Sequence, residues 1–370
     1  MSDAFSEFSS PSTWATITRQ PFGQTAAGAE AELFTLTNAQ GMQVEITNYG
    51  ATMVKCLVPD RGKQLGDVVL GFDTLTDYEA GSSYFGAVVG RCGNRIADGR
   101  FTLDEVAYEL PTNSESGGKP CHLHGGPLGF DRRVWTAEPK AERETASLVL
   151  TLLSPDGEMG YPGNVTAKVT YRLGSANQLE VIYEGETDAP TLFNLTQHSY
   201  FNLAGAGQGT IEGQILQLPG SQILATDEGQ IPTGEKMSVV GTPFDFVSPY
   251  PLGSRIEEPH PQLAIGHGYD HCWVFDDTSE LLKLGAKVMD PMSGRLMEVW
   301  TTEPGVQLYT GTWIPEGTKG KGGERYGSRG GFCLETQHFP DSPNHSEFPS
   351  IELRPGIPFR SVTEFRFSTI

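Results

Sequence analysis

Alternating apolar and polar residues are the clearest pattern along this chain. In residues 165–172, Val, Ala, Val and Tyr alternate with Thr, Lys, Thr and Arg, which predicts a strand with one buried and one solvent-facing side. Residues 179–185 follow a short turn and predict its antiparallel partner. Further strands are predicted at residues 32–37, 42–47 and 51–58.

The rest of the chain predicts further strands and few helices. Two strand-like runs, 296–302 and 306–311, are separated by Glu-Pro-Gly and predict a hairpin. Helical spacing is scarce and is limited to short stretches such as residues 75–80 and 279–284, each long enough for a turn or two. Strands and helices do not alternate and no unit repeats, so a parallel sheet, a propeller and a solenoid are disfavoured. We therefore predict an all-β, antiparallel fold.

The domain organisation is predicted to be simple. Residues 1–22 are polar and rich in Ser, which predicts a loose N-terminal leader or a strap on the surface. Residues 23–370 contain no linker-like tract and are predicted to form a single domain. Within them, the Gly-rich segment 319–331 is predicted to be a mobile loop.

Charge and cysteine content narrow the possible partners and the compartment. The chain has 26 Lys and Arg residues against 46 Asp and Glu residues, a formal net charge of −20. Nucleic acid and anionic membranes are bound through basic residues, so neither is an expected partner, and a neutral substrate is favoured. Five scattered cysteines without a Cys-x-x-Cys pair, and an N-terminus unlike a signal peptide, predict reduced thiols and a cytoplasmic location.

A polar stripe surrounds one histidine. In an extended strand, Asn194, Thr196, His198 and Tyr200 would share one face. An amide, a hydroxyl, an imidazole and a phenol in one row suit a ligand rich in hydroxyl groups, and His is the usual side chain for proton transfer near pH 7. The alternative is a buried hydrogen-bonded network that only specifies the core.

A second cluster contains Cys121, His122 and His124. A His-x-His pair on a strand places two imidazoles on one face, as in some zinc sites. The sequence offers no third ligand at a standard spacing, so we expect no metal. Gly125 and Gly126 follow directly and allow the backbone to approach a ligand closely. A histidine that contacts a ligand is the preferred interpretation.

Two carboxylates and an arginine are further candidates for residues that bind or react with a ligand. Asp270, between His267 and His271, could accept hydrogen bonds from two hydroxyl groups, with a turn Asp as the alternative. Glu335 is predicted on a short apolar strand, where partial burial would raise its pKa towards the range of a general base; a solvated strand residue is the alternative. Arg95 lies beside a Gly turn and could clamp a ligand oxygen. Phosphate-loop and Gly-x-Ser-x-Gly motifs are absent.

Taken together, the segments resemble one family, the aldose 1-epimerases, also called galactose mutarotases. The similar segments follow the family's order and cover about residues 30–370. They are DVVLGFDTLTDY, YFGAVVGRCGNRIADGRF, LHGGPLGFDRRVW, SPDGEMGYPG, NLTQHSYFNLAG, IPTGE, YDHCWVF, TTEPGVQLYTGTW, GFCLETQHFPDSPNH and LRPG.

The resemblance implies a large antiparallel β-sandwich with few short helices and an open sugar cleft. It implies interconversion of the α- and β-anomers of free hexoses such as galactose and glucose, with no cofactor and no metal. Protonated His198 would act as the general acid on the ring oxygen, and Glu335 as the general base on the C1 hydroxyl. The residues implied to bind the monosaccharide are Asn94, Arg95, His124, Asp270 and Gln307. The expected assembly is a monomer or a homodimer.

Three alternatives remain open. A hexose-6-phosphate 1-epimerase would share the fold and need basic residues for its phosphate, which only Arg132, Arg133 and the 319–329 segment could supply. A non-catalytic sugar-binding protein would be expected to have lost one of the two proton-transfer residues. A glycosidase needs two carboxylates, for which Asp270 and Glu335 are formal candidates, but it leaves the histidine without a role.

Overall fold

A computed structural model describes residues 14–81 and 83–370. Strands dominate the described residues. In chain order they are β1 (Thr16–Gln24), β2 (Glu30–Thr37), β3 (Gln43–Thr47), β4 (Thr52–Pro59), β5 (Leu65–Asp67), β6 (Val88–Val89), β7 (Arg95–Ala97), β8 (Arg100–Leu103), β9 (Val106–Glu109), β10 (Ser114–Ser116), β11 (Lys119–Leu123), β12 (Thr136–Ala141), β13 (Ala146–Ser154), β14 (Val165–Gly174), β15 (Gln178–Thr187), β16 (Thr191–Leu192), β17 (Thr196–Gln197), β18 (Ile215–Gln217), β19 (Gln222–Thr226), β20 (Pro232–Ser238), β21 (Tyr250–Pro251), β22 (Asp270–Val274), β23 (Lys283–Met289), β24 (Arg295–Thr301), β25 (Gly305–Tyr309), β26 (Thr318–Lys319), β27 (Arg325–Tyr326), β28 (Cys333–Gln337), β29 (Glu352–Leu353) and β30 (Phe359–Thr369). The helical elements are α1 (Leu75–Ala80), α2 (Pro261–Gly266) and 3-10 turns at Phe130–Arg132, Glu158–Gly160, Lys321–Gly323 and Ser342–Asn344.

The largest sheet is antiparallel and has nine strands, in the order β12-β13-β14-β15-β30-β24-β23-β18-β21. Its central pair, β14 and β15, is the pair predicted from residues 165–172 and 179–185. Along β14, Val165, Ala167 and Val169 are buried while the residues between them are partly or fully exposed. The predicted strand and its antiparallel partner are therefore confirmed.

Two five-stranded sheets pack against the nine-stranded sheet. Their orders are β1-β2-β3-β4-β5 and β20-β19-β22-β25-β28. One continuous apolar core joins all three sheets and includes Phe34 from β2, Val169 from β14 and Trp273 from β22. The five cysteines are buried and unpaired, so hydrophobic burial rather than cross-linking stabilises the fold. The predicted all-β antiparallel sandwich is confirmed.

The predicted hairpin at residues 296–311 is wrong. β24 pairs with β23 and β30, whereas β25 pairs with β22 and β28 in another sheet. The Glu-Pro-Gly link therefore crosses between layers of the sandwich, and Glu303 is buried at the crossing. A Cβ on Gly305 would lie 2.7 Å from the carbonyl oxygen of Trp273, so this close approach requires glycine. A local turn signal does not distinguish a hairpin from such a crossover.

One of the two predicted short helices forms. α1 coincides with residues 75–80, and the Thr74 side chain caps it by accepting a hydrogen bond from the backbone N–H of Asp77. The helix predicted at 279–284 does not form, because Lys283 begins β23 and pairs with β24. Six residues are too few for a stable helix without packing, so sheet pairing prevails. Within the described residues, no helix has the length and apolar character needed to cross a membrane.

Part of the predicted N-terminal leader is a strand. Residues 1–13 lie outside the described residues. Residues 16–24 form β1, which pairs with β2 at the edge of a sheet, so the boundary predicted between residues 22 and 23 falls within this strand. Most of its side chains are exposed, and an edge strand of this kind carries no apolar alternation for the sequence pattern to detect.

The segment 319–331, predicted to be a mobile loop, contributes to a small anchored hairpin. β26 and β27 pair on either side of a 3-10 turn. At this turn the amine of Lys321 is buried and donates to the carbonyl oxygens of Val54 and Val69, over 2.6 and 2.8 Å. It also lies 2.5 Å from the carboxylate of Asp67. These contacts tie the hairpin to β4 and β5, so the prediction of a mobile loop is wrong.

Candidate active site

A cavity of about 420 Å³ opens where the β22-β25-β28 edge of one sheet meets the small β10-β11-β7 sheet and the residues that flank it. Its volume lies in the usual range for small-molecule sites. Six of the seven predicted site residues line it: Asn94, Arg95, His124, His198, Asp270 and Glu335. The seventh, Gln307, bonds to one of these six. The fold thus brings together residues that are up to about 240 positions apart in sequence.

Neighbouring strands of one sheet supply three of the polar groups. Asp270 begins β22, while Gln307 and Glu335 are the central residues of β25 and β28. Gln307 is paired directly with Glu335, and Asp270 with Tyr309. Paired and alternate residues of antiparallel strands share a face, so these groups emerge on the cavity side. Intervening residues such as Leu308 enter the core.

The polar stripe around His198 forms only in part. Within this described segment, only the two residues of β17 are paired as a strand, and the flanking residues are irregular. His198 and Tyr200 line the cavity. The Asn194 side chain instead bonds to the backbone of His338, and Thr196 is buried outside the cavity. The predicted row of four ligand-facing groups is therefore wrong for Asn194 and Thr196, because strand alternation does not persist here.

His198 and Glu335 form a buried pair at the cavity. The Nε2 atom of His198 lies 3.7 Å from Oε1 of Glu335, beyond hydrogen-bond distance, and the side chains are 5% and 2% exposed. The other carboxylate oxygen of Glu335 has no hydrogen-bond partner among the described residues. The two groups are therefore close enough to act on one molecule and remain free to bind it.

Burial displaces the two pKa values in opposite directions. It lowers the pKa of His198 to about 4. It raises the pKa of Glu335 to about 8, and the negative charge of Asp270 adds to this rise. At pH 7 the pair without sugar therefore holds one proton, on the carboxyl group. Burial therefore opposes the protonated form of His198 that the role of general acid requires, because the 3.7 Å gap gives too little charge stabilisation to offset it. The role itself stays a prediction.

The second ring nitrogen of His198 contacts sulfur. Its Nδ1 atom lies 3.4 Å from Sγ of Cys333, and burial keeps the pKa of this thiol well above its usual range. The imidazole also stacks with Tyr84 and Tyr200, at ring-centroid distances of 5.7 and 5.1 Å. These contacts fix the plane of the ring while its Nε2 atom faces Glu335.

His124 is a neutral hydrogen-bond donor. The backbone N–H of Asn94 donates to its Nδ1 atom over 3.1 Å, so the ring proton of the neutral imidazole is on Nε2. Burial, with contributions from His198 and Arg95, lowers its pKa well below the usual value. Asn94 and His124 both have left-handed backbone angles, with φ of 59° and 52°. The arrangement suits stabilisation of negative charge on a ligand oxygen.

A chain of hydrogen bonds connects the remaining polar groups. The amide of Gln307 donates to Oδ1 of Asp270 over 2.7 Å. The amide of Gln230 donates to Oδ2 of Asp270 over 3.1 Å, and its oxygen accepts from Arg95 over 2.6 Å. Sequence reasoning missed Gln230, which lies in a turn and belongs to no motif. It also missed Tyr84, although this residue opens one of the segments that carried the family resemblance.

The His-x-His pair does not act as a unit. The ring of His122 is buried beside Tyr161, at a centroid distance of 5.3 Å, whereas His124 lines the cavity. Among the described residues, the group with donor atoms close enough to hold a metal is His124, His198 and Glu335, whose atoms lie within 4.8 Å of one another. A site without a metal stays a prediction.

The basic residues considered for a phosphate group are engaged elsewhere. Arg132 donates to two backbone carbonyl oxygens, and Arg133 forms an ion pair with Glu158. Lys321 is buried in its hairpin. In the described part of the chain, Arg95 is the one Lys or Arg side chain that lines the cavity. This lining favours a neutral ligand over a phosphorylated one.

Comparison with known proteins gives one consistent result. A family model described as aldose 1-epimerase matches residues 32–366. The galactose mutarotase of Rattus norvegicus is 44% identical over 353 residues, which cover 95% of this chain and 98% of the relative. The aldose 1-epimerase of Escherichia coli K12 is 36% identical over 92% of this chain and 96% of its own length. A crystal structure of a galactose 1-epimerase from Lactobacillus acidophilus superposes with a TM-score of 0.83 at 27% identity, covering 96% of this chain and 99% of that one.

Proposed function

This chain belongs to the aldose 1-epimerase family, and we propose that Glu335 and His198 move the protons in its reaction. It is an isomerase that interconverts the α- and β-anomers of aldoses, so its substrate is a sugar. One observation carries the assignment of the two residues. Their polar atoms face each other across 3.7 Å of a buried cavity without a hydrogen bond between them.

Ring opening requires two proton transfers. Glu335 as a carboxylate takes the proton of the C1 hydroxyl, the bond from C1 to the ring oxygen breaks, and the His198 imidazolium gives its proton to that oxygen. The products are an open-chain aldehyde, a protonated carboxyl group and a neutral imidazole. Rotation about the C1–C2 bond then presents the other carbonyl face. Ring closure reverses both transfers and yields the other anomer.

The protonation state that burial favours supports this cycle. A protonated Glu335 and a neutral His198 form the state that burial favours, and it is also the state that follows ring opening. Opening of a bound ring therefore begins with transfer of one proton from Glu335 to His198. A sugar hydroxyl that donates to the carboxylate stabilises its charged form and lowers its pKa, so sugar binding promotes this transfer.

The other polar groups at the cavity are assigned to binding. Asp270 accepts hydrogen bonds from sugar hydroxyl groups, and Asn94, Arg95 and Gln307 orient the ring for reaction. His124 donates from Nε2 to the oxygen on which negative charge develops. Correct positioning of both reacting oxygens matters because each must lie within hydrogen-bond reach of its proton-transfer group.

Free hexoses such as galactose and glucose are the proposed substrates. The relatives described above are named after galactose or after aldoses in general. A hexose 6-phosphate would bring further negative charge to a chain of net charge −20. Arg95, the one Lys or Arg side chain that the described residues place on the cavity wall, is already bonded to Gln230. A hexose-6-phosphate 1-epimerase is therefore the weaker alternative.

We also propose that residues 23–370, together with the rest of β1, form one domain, and that the chain acts in the cytoplasm as a monomer or a homodimer. The five buried, unpaired cysteines agree with a reducing compartment. Limited proteolysis, cell fractionation and light scattering after size-exclusion chromatography test these three statements in turn.

Polarimetry tests the proposed function. Freshly dissolved α-D-galactose, α-D-glucose and glucose 6-phosphate are compared with the wild type, His198→Asn and Glu335→Gln, and a nitrophenyl galactoside reports hydrolysis. We expect faster mutarotation of the free hexoses, lost in both variants, and no hydrolysis. Acceleration with the phosphate alone would establish the alternative substrate. No acceleration with either free hexose would contradict the proposal.

A further inference from the structure

Gln230 lies in the turn between β19 and β20, and its side chain lines the cavity. It is 6% exposed and has a φ of 59°, a left-handed conformation that is uncommon for residues with a side chain. The turn imposes this conformation. The backbone N–H of Gln230 donates to the carbonyl oxygen of Asp227, whose carboxylate accepts from the N–H groups of Gly229 and Ile231. The direction of the Gln230 side chain is therefore fixed by the backbone.

The amide of Gln230 lies between two charged groups. Its oxygen accepts from Arg95 over 2.6 Å, and its nitrogen donates to Asp270 over 3.1 Å. Arg95 and Asp270 themselves are 3.8 Å apart, beyond hydrogen-bond distance, although their side chains are only 12% and 10% exposed. Opposite charges attract strongly in such a buried setting. A neutral amide therefore separates an ion pair that would otherwise close.

This separation leaves hydrogen-bonding capacity for a ligand. An ionised carboxylate has about four acceptor positions, and Gln230 and Gln307 occupy two of those on Asp270. The Nε atom of Arg95 and the amide oxygen of Gln307 are buried without a partner among the described residues. Donors and acceptors side by side match hydroxyl groups, which donate and accept at the same time.

We propose that Gln230 is a positioning and specificity-determining residue of the sugar site, which keeps Arg95 and Asp270 apart so that both bind hydroxyl groups of one hexose. The inference rests on the proposed function for the identity of the ligand. Without Gln230, Arg95 closes onto Asp270 as a direct ion pair, and acceptor positions for the sugar are lost. Because Gln230 acts through these two side chains, its loss weakens binding rather than proton transfer.

Gln230→Met tests this role, because methionine keeps the length of the side chain and removes both polar atoms. We expect the KM for galactose to rise about 10- to 100-fold, the effect of losing hydrogen bonds to charged groups, with kcat within about threefold of the wild type. In a series of monodeoxygalactoses, each lacking one hydroxyl group, the kcat/KM of the wild type should fall most for the sugar that lacks the hydroxyl bound by Asp270 and Arg95. Gln230→Met should lose this discrimination, which a purely structural role would leave intact.

Gln262→Met is the matched control. The Gln262 side chain bonds to the backbone N–H and carbonyl of Thr226 at the end of β19, over 2.9 and 2.8 Å, and does not line the cavity. It should lower thermal stability and leave the KM unchanged. An unchanged KM in Gln230→Met, or an equal rise in both variants, would overturn the inference. If Gln230→Met does not fold, Gln230→Glu must raise the KM by placing a second carboxylate beside Asp270, and a wild-type KM there would overturn it as well.

Calorimetric titration with galactose separates this inference from the proposed function. A wild type that binds galactose without accelerating its mutarotation contradicts the proposed function, while weaker binding by Gln230→Met still supports the inference. A wild type that is active, with a variant of equal affinity and KM, contradicts the inference alone. A wild type that does not bind galactose overturns both.

Discussion

Two glutamate–histidine pairs lie near one strand of this protein and differ in their geometry. Glu335, in β28, faces His198 across the cavity, whereas His338 follows β28 directly and bonds to Glu303. The closest nitrogen–oxygen distance is 3.7 Å in the first pair and 2.7 Å in the second. Both glutamate side chains are 2% exposed. The pairs therefore share their chemistry and the burial of their carboxylates. They differ in whether the two groups touch and in the exposure of the histidine side chain, 5% for His198 and 22% for His338.

Burial of the histidine and contact with the carboxylate together set the direction of its pKa shift. Burial lowers the pKa of His198 to about 4 and raises that of Glu335 to about 8, so a single proton remains on the carboxyl group. Burial also lowers the pKa of His338, but the charge and hydrogen bond of Glu303 outweigh it and raise this pKa above 6.5. The closed pair of His338 and Glu303 therefore favours the protonated form of the histidine and acts as a structural contact. A pair with a gap that opens on a cavity holds a proton that a ligand can receive.

The largest effect is expected when each carboxylate is replaced in turn. Glu335→Gln should lower kcat by ~10²–10⁴-fold, because an amide does not take the proton of the C1 hydroxyl. Glu303→Gln should keep kcat within about threefold, because its histidine partner does not line the cavity. Polarimetry with galactose measures both. Equal losses of activity would remove the functional distinction between the pairs.

For the free energy of unfolding, we expect the larger loss in the pair of His338 and Glu303 and the smaller loss in the pair of His198 and Glu335. His338→Gln leaves Glu303 buried without its charged partner and should lower the free energy of unfolding by about 3 kcal/mol. His198→Asn breaks no hydrogen bond to Glu335 but removes a buried ring that stacks on Tyr84 and Tyr200, so it should cost only about 1–2 kcal/mol. Urea denaturation of both variants measures the difference. A larger loss in His198→Asn would contradict the assignment of a structural role to the closed pair.

The stability contribution of the closed pair should depend on pH. A raised pKa in the folded state means that the contribution of His338 is fully present below 6.5 and is lost as the pH rises through the folded-state pKa. His338→Gln should therefore be more destabilising at about pH 6 than at about pH 9. Urea midpoints of wild type and variant at both values give the result, and a pH-independent difference would count against a charged pair.

The smallest effect concerns the sulfur beside His198. A serine hydroxyl accepts a hydrogen bond from the Nδ1–H of the imidazolium better than a thiol does, so Cys333→Ser should raise the pKa of His198. The acid limb of kcat/KM should then move to higher pH while kcat changes by less than about threefold. Cys56→Ser, buried in another sheet, is the control and should leave the limb in place. An acid limb that is equal in both variants would show that sulfur does not influence the imidazole.

The fold could be predicted from sequence wherever a strand has one exposed side. β14 was identified because its apolar residues alternate with polar ones. β25 is buried on both sides, so its run of apolar residues predicts a strand but carries no information about which sheet it joins. β1 shows the opposite difficulty, since its mostly exposed side chains carry no pattern at all. Sheet membership in both cases depends on packing with distant segments.

The site residues, like the strands, could be predicted only where the sequence carries a recognisable pattern. Asp270 and Glu335 were found because each stands in a recognisable segment, and the structure places both at one cavity. Gln230 was missed because a turn residue has neither periodicity nor a motif, and its role depends on partners 135 and 40 residues away. The raised pKa of Glu335 agrees with the burial predicted for it, whereas the lowered pKa of His198 could not be predicted. It depends on burial and on an interatomic gap, which sequence does not specify.

The pH dependence of kcat/KM for galactose tests the central claim most directly, because this ratio reports ionisations of the free enzyme. A pair that holds one proton is active between its two ionisations, which belong to the pair as a whole. The kcat/KM of the wild type should therefore be constant between about pH 4 and about pH 8. It should fall at lower pH because the pair gains a second proton, and at higher pH because the pair loses its last proton. Activity that instead rises through a single ionisation near 6.5 would contradict the account.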